Sequence, residues 1–232
     1  MVAAAGVSTR ELPTFFENMT VLYDSSAVVN AHNGSVAFNM TGQCRYTVIE
    51  LDENASIQQV FNITSMNGEL PQEVANVYFP FQLEPHTTTV EVPAENSESN
   101  YWAVFLDEGL FAEYKERGRF IGEENFDTQF GTVGTYHIRK AGAYSTYDVF
   151  YDKATGWVVF LKETYGGGQI PNFTVTYIIE VAETNASFSP PIPSQLPDAY
   201  LAILAITLTT IVTASVFLIF RKRRARKTEG SR

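Results

Sequence analysis

Cysteine is almost absent: Cys44 is the one thiol in 232 residues. A disulfide within the chain is therefore excluded, and the fold must be held by its core. Cys44 lies in the run Cys44-Arg45-Tyr46-Thr47-Val48-Ile49, which points to a buried thiol. Histidine is scarce too. His32, His86 and His137 stand apart, with no His-Glu-X-X-His and no Cys/His pair at ligand spacing, so a zinc centre is not indicated. The Gly-X-Ser-X-Gly elbow of hydrolases is missing, as is the Gly-X-X-X-X-Gly-Lys-Ser/Thr loop that cradles phosphate. Gly166-Gly167-Gly168 runs on into Gln169-Ile170-Pro171 and opens no helix. Basic residues are few, 16 Lys and Arg against 26 Asp and Glu, for a net charge of −10. A chain so acidic does not meet nucleic acid, which demands clustered Lys and Arg.

Acidic pairs are present at Asp107-Glu108, Glu113 with Glu116, and Glu123-Glu124. Two carboxylates at the right separation cleave glycosides, but paired charges are far more often a solvated surface. Asp52, Glu53, Glu123 and Glu124 lack the spaced Asp/Asn loop and closing Glu of a calcium site. No catalytic residue, metal or cofactor is assigned, and the chain is read as a non-enzyme.

The net charge hides a split. Ala199–Phe220 reads AYLAILAITLTTIVTASVFLIF, 22 residues without a charge. As a helix at ~1.5 Å per residue it spans about 33 Å, enough for a hydrocarbon core of ~30 Å. Seven basic residues against Glu229 follow it, so residues 1–198 carry −16. Arg221, Lys222, Arg223 and Arg224 hold that end in the cytoplasm and set the N-terminal region outside. The tail, 221–232, contacts anionic lipid headgroups and is too short for a signalling domain. Ala205, Thr209 and Thr213 recur every four residues and would let the helix pack closely on another.

Asn-X-Ser/Thr acceptors occur at Asn18, Asn33, Asn39, Asn54, Asn62, Asn172 and Asn185, all ahead of the hydrophobic segment. Seven on one side favour a glycosylated outer face. Residues 1–13 read as the end of a signal peptide or as disordered chain, since Met1-Val2-Ala3-Ala4-Ala5-Gly6 has small residues but no basic start.

Residues 14–185 alternate apolar and polar side chains, the mark of half-buried strands. Phe173, Val175, Tyr177, Ile179 and Val181 face one way and Thr174, Thr176 and Glu180 the other. Further strands are expected at Thr20–Tyr23, Ser35–Met40, Cys44–Leu51, Ile57–Ile63, Val77–Leu83, Thr87–Val92, Tyr101–Leu106, Thr132–Ile138, Tyr144–Tyr151 and Trp157–Tyr165. In Tyr151–Trp157, Asp152 can cap the turn and Gly156 can take the left-handed conformation of a bulged type I hairpin. Tyr144–Glu183 then forms a three-stranded meander. One short helix is expected over Asp107–Arg117, followed by loop to Phe130. Of the aromatics, Trp157 and Phe173 are assigned to the core, and Tyr101-Trp102, after a polar loop, is the better candidate for exposure, with core filling the favoured reading. The fold class is mainly β: an antiparallel β-sandwich with one short helix, or two halves at 14–92 and 132–183. Ala186–Asp198, with four prolines, is read as a semi-rigid stalk.

Proline motif, hydrophobic helix and basic end resemble the tripartite C-terminal sorting signals of archaeal surface proteins, some of which archaeosortases cut and transfer to lipid. The matching residues are Pro191-Ile192-Pro193 or Pro197, then Ala199–Phe220, then Arg221–Lys227. The hairpin Tyr151–Gly156 is similar to one in uncharacterised archaeal membrane-anchored β-domains. That resemblance implies a β-rich outer domain at the cell membrane and no activity. The expected role is structural, adhesive or recognition, with membrane lipid, other surface proteins or polysaccharide as partners. An accessory subunit of a membrane complex, or a homo-oligomer, is the second expectation, and an extracellular hydrolase the third.

Overall fold

The computed structural model describes residues 15–51, 55–77, 84–92, 104–106, 108–168 and 170–192. They belong to one compact unit that ends at Ile192. The described strands are β1 (Thr20–Ala31), β2 (Val36–Leu51), β3 (Ala55–Gly68), β4 (His86–Val92), β5 (Phe120–Thr128), β6 (Gly131–Ala141), β7 (Ser145–Asp152), β8 (Val158–Gly167) and β9 (Ile170–Thr184). The helices are α1 (Gln72–Val77) and α2 (Glu108–Glu116). The chain is mainly β, as expected.

The expected sandwich is corrected. All nine strands form one antiparallel sheet in the order β4-β3-β2-β1-β9-β8-β7-β6-β5. Alternation reveals that a strand buries one face, not what covers that face. The two expected halves are joined where β9 returns beside β1, from Val21↔Thr184 to Ala31↔Phe173.

One face of the sheet carries the core. Tyr23, Ala27 and Val29 of β1 lie level with Cys44, Met40 and Phe38 of β2, and with Val181, Tyr177 and Val175 of β9. All nine are buried. The pattern continues through Leu161, Val149 and Ile138 on β8, β7 and β6. Cys44 is buried as expected, with Gln59 Nε2 donating to Sγ at 3.3 Å. Burial pushes this thiol above its ordinary value, which disfavours the nucleophilic thiolate. Burial also pushes the phenols of Tyr23, Tyr46 and Tyr151 well above their ordinary value. Tyr23 meets its polar need by donating to Val158 O at 3.0 Å.

Helix α2 caps part of this face. Phe111 lies tilted against Tyr136 at 4.6 Å and meets Phe120 edge-on at 5.3 Å. The helix stops where Gly118 turns left-handed at φ +65° and Arg119 N bonds Tyr114 O. The segment Val104–Leu106 lies along the start of β8: Val158 N donates to Val104 O at 2.8 Å and Leu106 N to Gly156 O at 2.7 Å. Trp157, fully buried, sits at this junction among the rings of Phe15, Tyr46 and Phe105 at about 6 Å. Its Nε1 has no hydrogen-bond partner among the described residues.

The opposite face is not uniformly open. In a flat sheet β5 and β8 would stand ~14 Å apart. Yet the Phe126 ring stacks on Phe160 at 5.0 Å and lies 4.8 Å from Phe150. Gln129, in the β5–β6 turn, donates to Ala182 O on β9. The β5–β6 hairpin therefore rolls back over β7 and β8 and closes a second, smaller aromatic core.

The Tyr151–Trp157 hairpin is as expected. Asp152 Oδ2 accepts from Ala154 N, Thr155 N and Thr155 Oγ1, and Gly156 has φ +75°. The meander β7-β8-β9 is also present. Two other expectations are corrected. The loop placed after Gly118 is strand β5, an edge with no fully buried residue and few apolar side chains to mark its inner face. A second helix, α1, begins at Gln72, where the sequence suggested only a strand from Val77; it seats the fully buried Val74. Ser35–Met40 and Cys44–Leu51 are one continuous strand. Residues 101–103 lie outside the described residues.

Replacing Trp157 by Ala should cost about 3–5 kcal/mol in urea unfolding, with Trp157→Phe costing clearly less. Equal losses would mean that ring packing is not what Trp157 contributes.

Candidate functional site

The sequence assigned function to acceptor asparagines, and the fold sorts them. Asn18, Asn33, Asn62, Asn172 and Asn185 are exposed and Asn39 is half-buried. Asn54, Ala205, Thr209, Thr213, Arg221, Lys222, Arg223 and Arg224 lie outside the described residues. Asn39 and Asn62 project from β2 and β3 on the side opposite the core, because Asn39 is level with Val28, and Asn62 with Gln43. Their sequon threonines meet: Thr41 Oγ1 and Thr64 Oγ1 are 2.9 Å apart. Asn33 sits in the β1–β2 turn, its Oδ1 accepting from Ser35 N and Ser35 Oγ at 2.9 and 2.7 Å. Asn172 is beside it, with Asn172 O accepting from His32 N. Asn18 and Asn185 lie at the other end of β1, where Asn185 Nδ2 donates to Asn18 O and Asn185 Oδ1 accepts from Thr20 N. No described acceptor falls on the core face.

A constellation that the sequence reading did not assemble lies in the rolled end. His137 is 4% exposed. Its Nδ1 is 3.1 Å from Glu124 Oε1 on β5 and its Nε2 is 3.0 Å from Asp148 Oδ1 on β7. The ring stacks on Phe150 at 4.2 Å and 15°. Arg139 Nε donates to the same Asp148 oxygen at 2.6 Å. Both ring nitrogens are thus engaged by carboxylates of neighbouring strands. Among the described residues, no group of three or more His, Cys, Asp or Glu is placed to hold a metal. The arrangement is a polar tie that fastens β5 and β7 across β6. Spacing could not reveal it, because the partners stand 13 and 11 residues away and only strand register brings them together.

Of the acidic pairs, Asp107 and the side chain of Glu108 lie outside the described residues. Glu113 is paired with Arg117 at 3.2 Å along α2, and Glu123 with Lys153. Asp24 and Glu180 are level on β1 and β9 in an open depression shared with Ser26, Thr41, Gln43 and Thr64. Gln43 Nε2 donates to Asp24 Oδ1 at 3.0 Å.

The first part of the expected stalk is docked. Ser189 is buried, its N–H bonded to Asp152 Oδ1 at 2.6 Å. Asn125 grips Ile192 from both sides, Oδ1 accepting from its N at 2.7 Å and Nδ2 donating to its O at 2.9 Å. Gly134 lets the strap pass, since a Cβ there would meet Pro190 O at 2.7 Å. Residues 193–198 lie outside the described residues, as does the expected membrane span. No helix among the described residues is long and apolar enough to cross a membrane.

Partial burial raises the Asp148 carboxyl, but the His137 hydrogen bond and Arg139 outweigh it, leaving it below the ordinary range. Its folded value thus lies below its unfolded one. The stability it contributes is complete above the unfolded value and disappears as pH falls through the folded value. Thermal unfolding followed through that acid window should show a steeper decline for the native chain than for Asp148→Asn; parallel curves would remove the tie from the account.

No family model matches the chain. No curated protein matches it either. Among solved structures, it is similar to the crystal structure of a DUF1329 family protein from Desulfovibrio piger, at 14% identity and a TM-score of 0.23. The match covers 79% of this chain and 89% of that one. A score so low carries no argument about fold or function.

Proposed function

We propose that this chain is an N-glycosylated protein displayed on the cell surface, anchored by a single helix and serving a structural, adhesive or recognition role. The observation that carries the proposal is the placement of the acceptors. Five of the six described sequon asparagines are exposed, and none occupies the apolar face. Exposure of this kind is what the attachment of a bulky, solubilising glycan requires. The acidic charge ahead of Ala199 and the basic cluster after Phe220 support the same orientation. The single-pass span and the archaeal type of sorting signal belong to this proposal.

Nothing in the described residues favours catalysis over display. The one histidine–carboxylate cluster spends its hydrogen-bonding capacity on holding strands together. The hydroxyls and amides on the outer side of β2 and β3 suit contacts with polar partners such as polysaccharide or other envelope proteins.

The full chain, expressed in a host with N-glycosylation machinery, should fractionate with membranes and exceed its unmodified mass of 25.9 kDa. Protease added to intact cells should remove the β-domain and spare the basic tail. A cell-surface role is abandoned if the chain stays soluble without detergent or survives that protease untouched.

A further inference from the structure

We propose that Asn185 is a latch rather than a glycan acceptor, and that the folded protein leaves this one sequon unmodified. The glycan half of the proposal rests on the glycosylated role above; the latch stands on contacts alone. Asn185 follows the end of β9, and its amide lies along the start of β1. Oδ1 accepts from Thr20 N at 2.8 Å, and Nδ2 donates to Asn18 O at 2.9 Å. Asn185 N donates to Thr20 O at 3.3 Å, and Thr184 Oγ1 donates to the same oxygen at 3.0 Å. Asn18, left-handed at φ 60°, turns its carbonyl into position, a conformation asparagine tolerates better than most residues. Val48 O fixes Asn18 from the β2 side by accepting from its N at 3.0 Å.

The two side-chain bonds go to residues 18 and 20 of one short segment. They therefore use one edge of the amide, the oxygen and the hydrogen beside it. N-glycosylation bonds the sugar C1 to Nδ2. The C1–O bond to a lipid-linked phosphate donor breaks, the phosphate leaves with the electron pair, and the amide gives up one proton. A secondary amide keeps its two carbon substituents trans. C1 is then placed beside Oδ1, where the hydrogen bonded to Asn18 O now sits. Sugar and latch compete for one position on one atom.

The other described acceptors face no such conflict. Asn39 and Asn62 have no side-chain hydrogen bond among the described residues. Asn33 uses only its oxygen, and Asn172 Nδ2 makes one long contact of 3.5 Å with Glu73.

Two variants erase the same sequon by different routes. Ser187→Ala removes the motif and keeps the latch; Asn185→Gln removes both. In the full chain from a glycosylating host, glycopeptide mass spectrometry of the folded fraction should find sugar at Asn62 or Asn33 and a bare Asn185. Thermal unfolding should place Asn185→Gln about 3–6 °C below the native chain, with Ser187→Ala unchanged. Sugar on Asn185 in folded protein would overturn the proposal, and so would equal melting temperatures for the two variants. Bare peptides at every sequon would instead remove glycosylation from the proposed function, while the melting temperatures still decide the latch.

Discussion

The pairing of β1 with β9 is the contact on which the rest of this sheet depends. It joins strands that begin 150 residues apart, Thr20 and Ile170. Without it, β4-β3-β2-β1 and β9-β8-β7-β6-β5 would be separate ribbons, each with a bare edge and half a core. With it, Tyr23, Ala27 and Val29 gain neighbours on both sides and lose contact with water. Closing so long a loop carries a large entropic cost, which pairing along the whole strand offsets. The polar residues around Asn185 finish this seam where apolar packing gives out.

The rolled end follows from a different balance. An edge strand with free N–H and C=O groups invites pairing with another chain. Here β5 is exposed but carries Glu123, Glu124 and Asp127, and its inward residues are occupied. Phe126 is committed to Phe150 and Phe160, and Glu124 to His137. Aromatic stacking and the His137 tie together hold the hairpin against β7 and β8.

Strand character was legible in the sequence wherever one face is dry. Val175, Tyr177, Ile179 and Val181 announce β9, and Asp152 with Gly156 announces its hairpin. The signal failed where the side chains on the inner face are not a regular apolar series. Strand β5 lies at the edge, so its pattern is mostly exposed. Strand β1 passes through Asp24, Ser25 and Ser26, and the middle one is buried only because its hydroxyl reaches Gly42 O at 2.9 Å. The choice between one sheet and two was not legible, since it depends on which strands meet across long loops. The acceptor asparagines were legible as motifs. Their division into open and bonded groups was not, because the partners of Asn185 are more than 160 residues away.

The short segment leading to Ile192 shapes how the domain meets a pull. Chain leaving a sheet at the end of a central strand would ordinarily drag on that strand. Here Ser189 is tethered to Asp152 and Ile192 to Asn125, so tension arriving from the C-terminal side first strains β5 and the β7–β8 turn. Strand β9 is shielded until those bonds part. A tug of this kind would be spread over several strands, loosening the rolled corner while the central seam stays closed.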